Sequence, residues 1–138
     1  MSLKHQLLGN KEKKLTSAVL FPRIAQVLKR NPQLVAVKGF FVVSVTQNKL
    51  KKDEWYLLFG DDMYIGQTLP STSLKPVIIQ LEDKYLLKFI TGGLHGVQAL
   101  AKGYIKIAGD AQMASELEAV FVKAGGVEKV RDWLKSKL

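Results

Sequence analysis

The sequence predicts an α+β fold, a five-stranded and mainly antiparallel sheet with helices packed on one face. Three observations carry this. Five short runs between residues 35 and 108 are rich in β-branched and aromatic residues. Four of them follow one another with only polar turns between, as sequential hairpins do. Apolar residues at helical spacing flank them on both sides.

The elements follow in order. Residues 1–16 read as a basic arm, with Lys4, Lys11, Lys13 and Lys14 and a turn signal at Gly9-Asn10. Residues 17–138 read as one domain, since 138 residues suffice for one core. A first helix is expected over 18–30, where Leu20, Phe21, Ile24, Val27 and Leu28 form a stripe. Pro22 fits such a helix best in its first turn, and Asn31-Pro32 ends it. Strands are expected at 35–46, 54–59, 63–68 and 77–81. The connection from Gln47 to Asp53 is polar and lysine-rich, and reads as too long for a two-residue hairpin turn. Helical spacing returns at 83–91, where Tyr85, Leu86, Phe89 and Ile90 precede Gly92-Gly93, and at 96–101. A fifth strand is expected at 103–108, then a helix over 111–123 with Asp110 as its N-cap. A last amphipathic helix is expected at 127–135, after Gly125-Gly126.

Composition excludes several chemistries. The absence of cysteine removes thiol catalysis, disulfides and cysteine-ligated metal. The two histidines, His5 and His95, lie in no metal-ligand spacing, and no metal or other cofactor is expected. No GxSxG elbow, dinucleotide fingerprint or phosphate-binding P-loop appears. Gly92-Gly93-Leu94-His95-Gly96 follows a helix rather than a strand, which favours capping over phosphate binding. Asp61-Asp62 and Glu82-Asp83 sit at a turn and a helix start, where carboxylates have structural reasons to be. An enzyme, such as a small acyl-CoA thioesterase, has only His95, Asp61, Asp62 and Glu82 to use as acid or base. A net charge of +9 attracts polyanions. The lysines are scattered, however, and no nucleic-acid-binding motif accompanies them, so anionic membrane surfaces are the expected partner rather than nucleic acid. What the sequence offers in quantity is apolar surface. Periodicity alone does not separate a closed core from a core with a ligand cavity.

The chain ends in Ser136-Lys137-Leu138, the tripeptide of a peroxisomal import address, which predicts a peroxisomal protein and an import receptor as partner. The stretch Gly103-Tyr104-Ile105-Lys106-Ile107-Ala108-Gly109-Asp110, followed by Met113-Ala114 and Leu117, resembles the signature of the sterol carrier protein 2 family. That signature is a glycine-led strand with a central lysine, then Gly-Asn or Gly-Asp, then a helix. The segment from Asp83 to Gly92 resembles the family's helix ending in a Thr-Gly pair, here Thr91-Gly92. Trp55-Tyr56-Leu57-Leu58 resembles its second strand, and the terminal tripeptide its usual ending.

The resemblance covers about residues 18–138. It implies a sheet and helices enclosing an apolar tunnel, and a non-enzymatic monomer that binds and transfers fatty acids, fatty acyl-CoAs or sterols. The ligand is then expected between the sheet and the helix stripes. Its expected contacts are Phe21, Ile24 and Leu28 from the first helix, and Trp55, Leu57, Ile105 and Ile107 from the sheet. The later helices add Phe89, Ile90, Leu100, Met113, Leu117, Val120 and Phe121. Val127, Val130, Trp133 and Leu134 are expected to form a lid hinged at Gly125-Gly126.

Overall fold

The computed structural model describes residues 15–91 and 96–125. Ten elements run in order: α1 (Thr16–Arg30), a 3-10 turn (Pro32–Leu34), β1 (Gly39–Gln47), β2 (Leu50–Phe59), β3 (Tyr64–Gly66), β4 (Pro76–Glu82), α2 (Asp83–Thr91), α3 (Gly96–Ala101), β5 (Ile105–Ala108) and α4 (Ala111–Ala124). Most of the arm, His95, the last helix with its lid residues, and the terminal tripeptide lie outside the described residues.

The five strands form one sheet in the order β3-β2-β1-β4-β5. The neighbours are antiparallel except β1 and β4, which run parallel with Phe41 opposite Val77 and Val43 opposite Ile79. The mainly antiparallel α+β arrangement is therefore the observed one. The β2–β3 hairpin lies on one side of β1, and the chain returns to the other side as β4. This makes β1 the central strand, and all its residues except Gln47 are buried.

Strand alternation sorts the sheet into two faces. Phe41, Val43, Val45, Trp55, Leu57, Phe59, Val77, Ile79, Leu81 and Ile105 form the inner face. They join one core with Leu20, Phe21, Ile24 and Leu28 of α1, Leu86, Phe89 and Ile90 of α2, Ala99 of α3, and Leu117, Val120 and Phe121 of α4. The opposite face carries Glu54, Tyr56, Gln80 and Lys106, and none of these belongs to that core.

Three local expectations need correction. Helix α1 starts at Thr16, so Pro22 lies in its interior rather than its first turn. The earlier start is held by a remote carboxylate. Asp83 accepts the backbone N–H of Thr16 at 2.7 Å and of Ser17 at 3.0 Å, while Leu15, at the N-cap, has no side chain able to do so. Second, β1 begins at Gly39 rather than at Val35. Gly39 has φ +155°, and a Cβ on it would collide with Met113 Cε, so α4 packs where glycine leaves room.

Third, the segment 47–53 is no long connection. Gln47 pairs with Leu50, leaving a two-residue turn at Asn48 and Lys49, with φ of 55° and 68°. Both residues are left-handed, as a type I′ hairpin turn requires. Glu82 supports this conformation by accepting the N–H groups of Asn48 and Lys49 at 3.0 and 2.9 Å. Lys51 and Lys52 thus belong to β2, at whose exposed start lysine side chains reach solvent.

Candidate functional site

The interior between sheet and helices is the candidate site. Four aromatic rings cross it. Phe21 stacks on Trp55 with centroids 5.0 Å apart. Phe121 meets Phe21 edge-on at 5.8 Å and Phe89 edge-on at 6.1 Å. These contacts tie β2, α1, α4 and α2 to one another through a single apolar column.

Beside the Phe89 end of this column is a cavity of about 70 Å³, bordered by Ile79, Phe89, Leu100, Ile105, Ile107, Ala111, Ala114, Ser115 and Glu118. Ile79, Ile105 and Ile107 form its sheet wall, because Ile79 pairs with Ile107 across β4 and β5. Leu100 and Ser115 are exposed, so the cavity meets solvent along the seam between α3 and α4. Asp110 fixes the start of α4 at this seam, since one of its carboxylate oxygens accepts the N–H groups of Gln112 and Met113 at 2.9 and 3.2 Å.

The structure divides the expected contact residues. Phe89, Leu100, Ile105 and Ile107 border the cavity. Phe21, Ile24, Leu28, Trp55, Leu57, Ile90, Leu117, Val120 and Phe121 are buried in the adjoining core. Met113 is partly buried against that core. Ile79 and Ala114 also border the cavity, and sequence reasoning missed them. The pairing of β4 with β5 is the signal that identifies Ile79, and it exists only in the folded sheet.

Two polar atoms are sealed inside. Among the described residues, Ser17 Oγ and Trp55 Nε1 are buried without a hydrogen-bond partner. Both side chains flank Phe21, Trp55 by stacking and Ser17 from one helical turn earlier on α1. An unsatisfied buried group costs about 1–3 kcal/mol, so each is a natural contact for a polar atom brought in by a ligand.

Of the acid–base candidates, the described ones, Asp61, Asp62 and Glu82, are not assembled. Asp61 and Asp62 are exposed in the turn after β2. The Glu82 carboxylate is occupied by the Thr46 hydroxyl and the two turn N–H groups, and the Thr46 bond foremost holds its pKa below 4.5. It is thus a brace for the hairpin and a weak base. Among the described residues no cluster of three metal-ligating side chains exists. No helix described is long and apolar enough to cross a membrane.

This architecture is that of a known family. The sequence model of the SCP-2 sterol transfer family matches residues 22–122. The chain belongs to the SCP-2 sterol transfer family. Solved structures share its fold. Sterol carrier protein 2 of Yarrowia lipolytica in its apo form superposes with a TM-score of 0.68 at 19% identity, over 80% of this chain and 92% of that one. The sterol carrier protein domain 2 of Helicoverpa armigera gives 0.62 at 17% identity, over 82% and 91%. Sterol carrier protein 2 of Aedes aegypti, in complex with palmitate, gives 0.59 at 20% identity, over 79% and 96%. No curated protein matches the chain by sequence.

Proposed function

We propose that the chain is a non-enzymatic lipid-binding and transfer domain that holds the apolar tail of a fatty acid, fatty acyl-CoA or sterol between the inner sheet face and helices α1, α2 and α4. The observation that carries the reading is the seam between α3 and α4, which leads to a cavity walled by Ile79, Phe89, Ile105 and Ile107. Membership of the SCP-2 sterol transfer family supports it, as does the like fold of the Aedes aegypti protein in complex with palmitate. The expected contact residues, from Phe21 to Phe121, are proposed on the same ground.

The cavity of about 70 Å³ is smaller than the roughly 300–1,000 Å³ of ordinary ligand pockets. Binding therefore requires α4 to move away from β4 and β5. Burial of about ten methylenes contributes roughly 8 kcal/mol, the scale of micromolar affinity before ordering costs. The Ser17 hydroxyl and the Trp55 N–H are buried polar contacts for the ligand. The terminal Ser136-Lys137-Leu138 supports import into peroxisomes by a receptor. The net charge of +9 supports transient contact with anionic membranes by a monomer.

Ser115→Trp tests the reading, because the residue is exposed at the seam and outside the core. Equilibrium dialysis with palmitate should give saturable binding to the wild-type protein and at least tenfold weaker binding to the variant. Absence of binding to delipidated wild-type protein would sink the proposal.

A further inference from the structure

A second concavity lies apart from the cavity described above. It is a groove of about 540 Å³ at the end of the sheet, where β4 passes into α2. Three elements each bring a lysine to it. The type I′ turn supplies Lys49, the first turn of α2 supplies Lys84, and the outward position between Ile105 and Ile107 supplies Lys106. None of the three ammonium groups forms an ion pair among the described residues. Among the described residues Glu82 is the groove's single acidic side chain. Its oxygens accept hydrogen bonds from the Thr46 hydroxyl and the Asn48 and Lys49 N–H groups. Its charge attracts Lys84, which leaves the three lysines in excess by two positive charges. Tyr85 and Tyr104 stack at 4.6 Å to line one side, with Lys84 Nζ 5.2 Å from the Tyr85 ring centre.

We infer that this groove binds the phosphate-bearing head group of a lipid, with Lys49, Lys84 and Lys106 as its cationic contacts. A phosphomonoester carries about −1.5 to −2 charges and three acceptor oxygens at neutral pH. That matches several unpaired ammonium groups converging on one polar concavity, since lysine binds phosphate as a point charge. The groove volume suits a small head group and far exceeds the room a lone carboxylate needs. The surroundings favour a lipid-borne phosphate over a free one. Leu50, next to Lys49, is 63% exposed, and Tyr104 is 36% exposed, the kind of side chains that settle at a membrane–water interface. The groove shares no lining residue with the apolar cavity, so this inference stands independently of the lipid-carrier reading.

The test is co-sedimentation of the full chain with phosphatidylcholine vesicles, with and without phosphatidic acid. One variant carries Lys49→Ala, Lys84→Ala and Lys106→Ala. A control of equal charge carries Lys29→Ala, Lys38→Ala and Lys123→Ala, all exposed and outside the groove. The inference predicts binding to the doped vesicles only, a loss of roughly a hundredfold in the groove variant, and a loss below about threefold in the control. Equal losses in both variants would assign the binding to diffuse charge, and no loss in the groove variant would remove the site; either result overturns the inference. Glycerol 3-phosphate separates the sources. As the soluble head group it should release the protein from the doped vesicles only in large excess over the phosphatidic acid, whereas protection of the Lys49 and Tyr104 amides by glycerol 3-phosphate in a protein that the doped vesicles do not bind would overturn the choice of a lipid head.

Discussion

Phe21 of α1 stacks on Trp55 of β2 with ring planes 25° from parallel, which fixes the first helix on the strand beside the central one. Phe21 is fully buried and also meets Phe121, so its removal empties the middle of the aromatic column. Phe21→Ala is expected to lower the unfolding free energy by about 3–5 kcal/mol. Trp55→Phe keeps a ring in place and removes an unpartnered N–H, so it should change stability by less than about 1 kcal/mol. Urea unfolding followed by circular dichroism measures both. A loss above about 2 kcal/mol in Trp55→Phe would show that Nε1 has a partner in the folded protein.

Two helices are capped by aspartates, one local and one remote. Asp110 bonds the first turn of α4, and Asp83 bonds that of α1 across the fold. Each substitution to alanine is expected to cost about 1 kcal/mol, with a range of roughly 0.5–2. Amide hydrogen exchange should localise the effects differently: Asp110→Ala loosens α4, while Asp83→Ala loosens the amides of Thr16 and Ser17. Unchanged exchange at Thr16 and Ser17 would contradict the remote cap.

Lys49 holds a left-handed backbone at φ 68°, a conformation that costs an L-residue roughly 1–2 kcal/mol. Glycine adopts it freely at some entropic cost. Lys49→Gly is therefore expected to raise the melting temperature, with a gain of about 0.5–1 kcal/mol. A drop in melting temperature would mean that the lysine side chain contributes more to the hairpin than its backbone strain removes.

The same hairpin responds to acid. The Thr46 hydroxyl, then the Lys49 and Asn48 N–H groups, hold the Glu82 pKa below its ordinary value of 4.5. Folding favours the charged form, so its contribution is complete above 4.5 and is lost as pH falls through the depressed folded value. Glu82→Gln should be less stable than wild type at neutral pH, and the gap should close below 4.5. A gap that persists unchanged into strong acid would show that the charge on Glu82 is not what braces the turn.

Much of the fold was legible because it follows local periodicity. The stripe Tyr85, Leu86, Phe89 and Ile90 fixed α2, and Asp110 announced α4 at its true start. The failures share a cause, which is that distant residues decided the local structure. Thr16 and Ser17 suggest a cap, yet the helix already includes them, because Asp83 caps the first turn in place of Leu15. The turn at Asn48-Lys49 lacks glycine, because Glu82 stabilises it from β4. Lys51 and Lys52 looked like a loop because an exposed strand half needs no apolar residues. For the candidate site, periodicity found the apolar stripes but could not assign residues to a cavity wall. Phe89 and Ile90 are neighbours on one helix, yet only Phe89 borders the cavity.

The central claim is that the interior admits a lipid tail. Displacement of a fluorescent fatty acid from delipidated protein tests it most directly, with palmitate, palmitoyl-CoA and cholesterol as competitors. The account predicts saturable binding at one site and displacement by at least one of the three at micromolar concentration. A protein that takes up no fluorescent fatty acid, while remaining folded by circular dichroism, would show that the column from Trp55 to Phe89 is a closed core and would contradict the account.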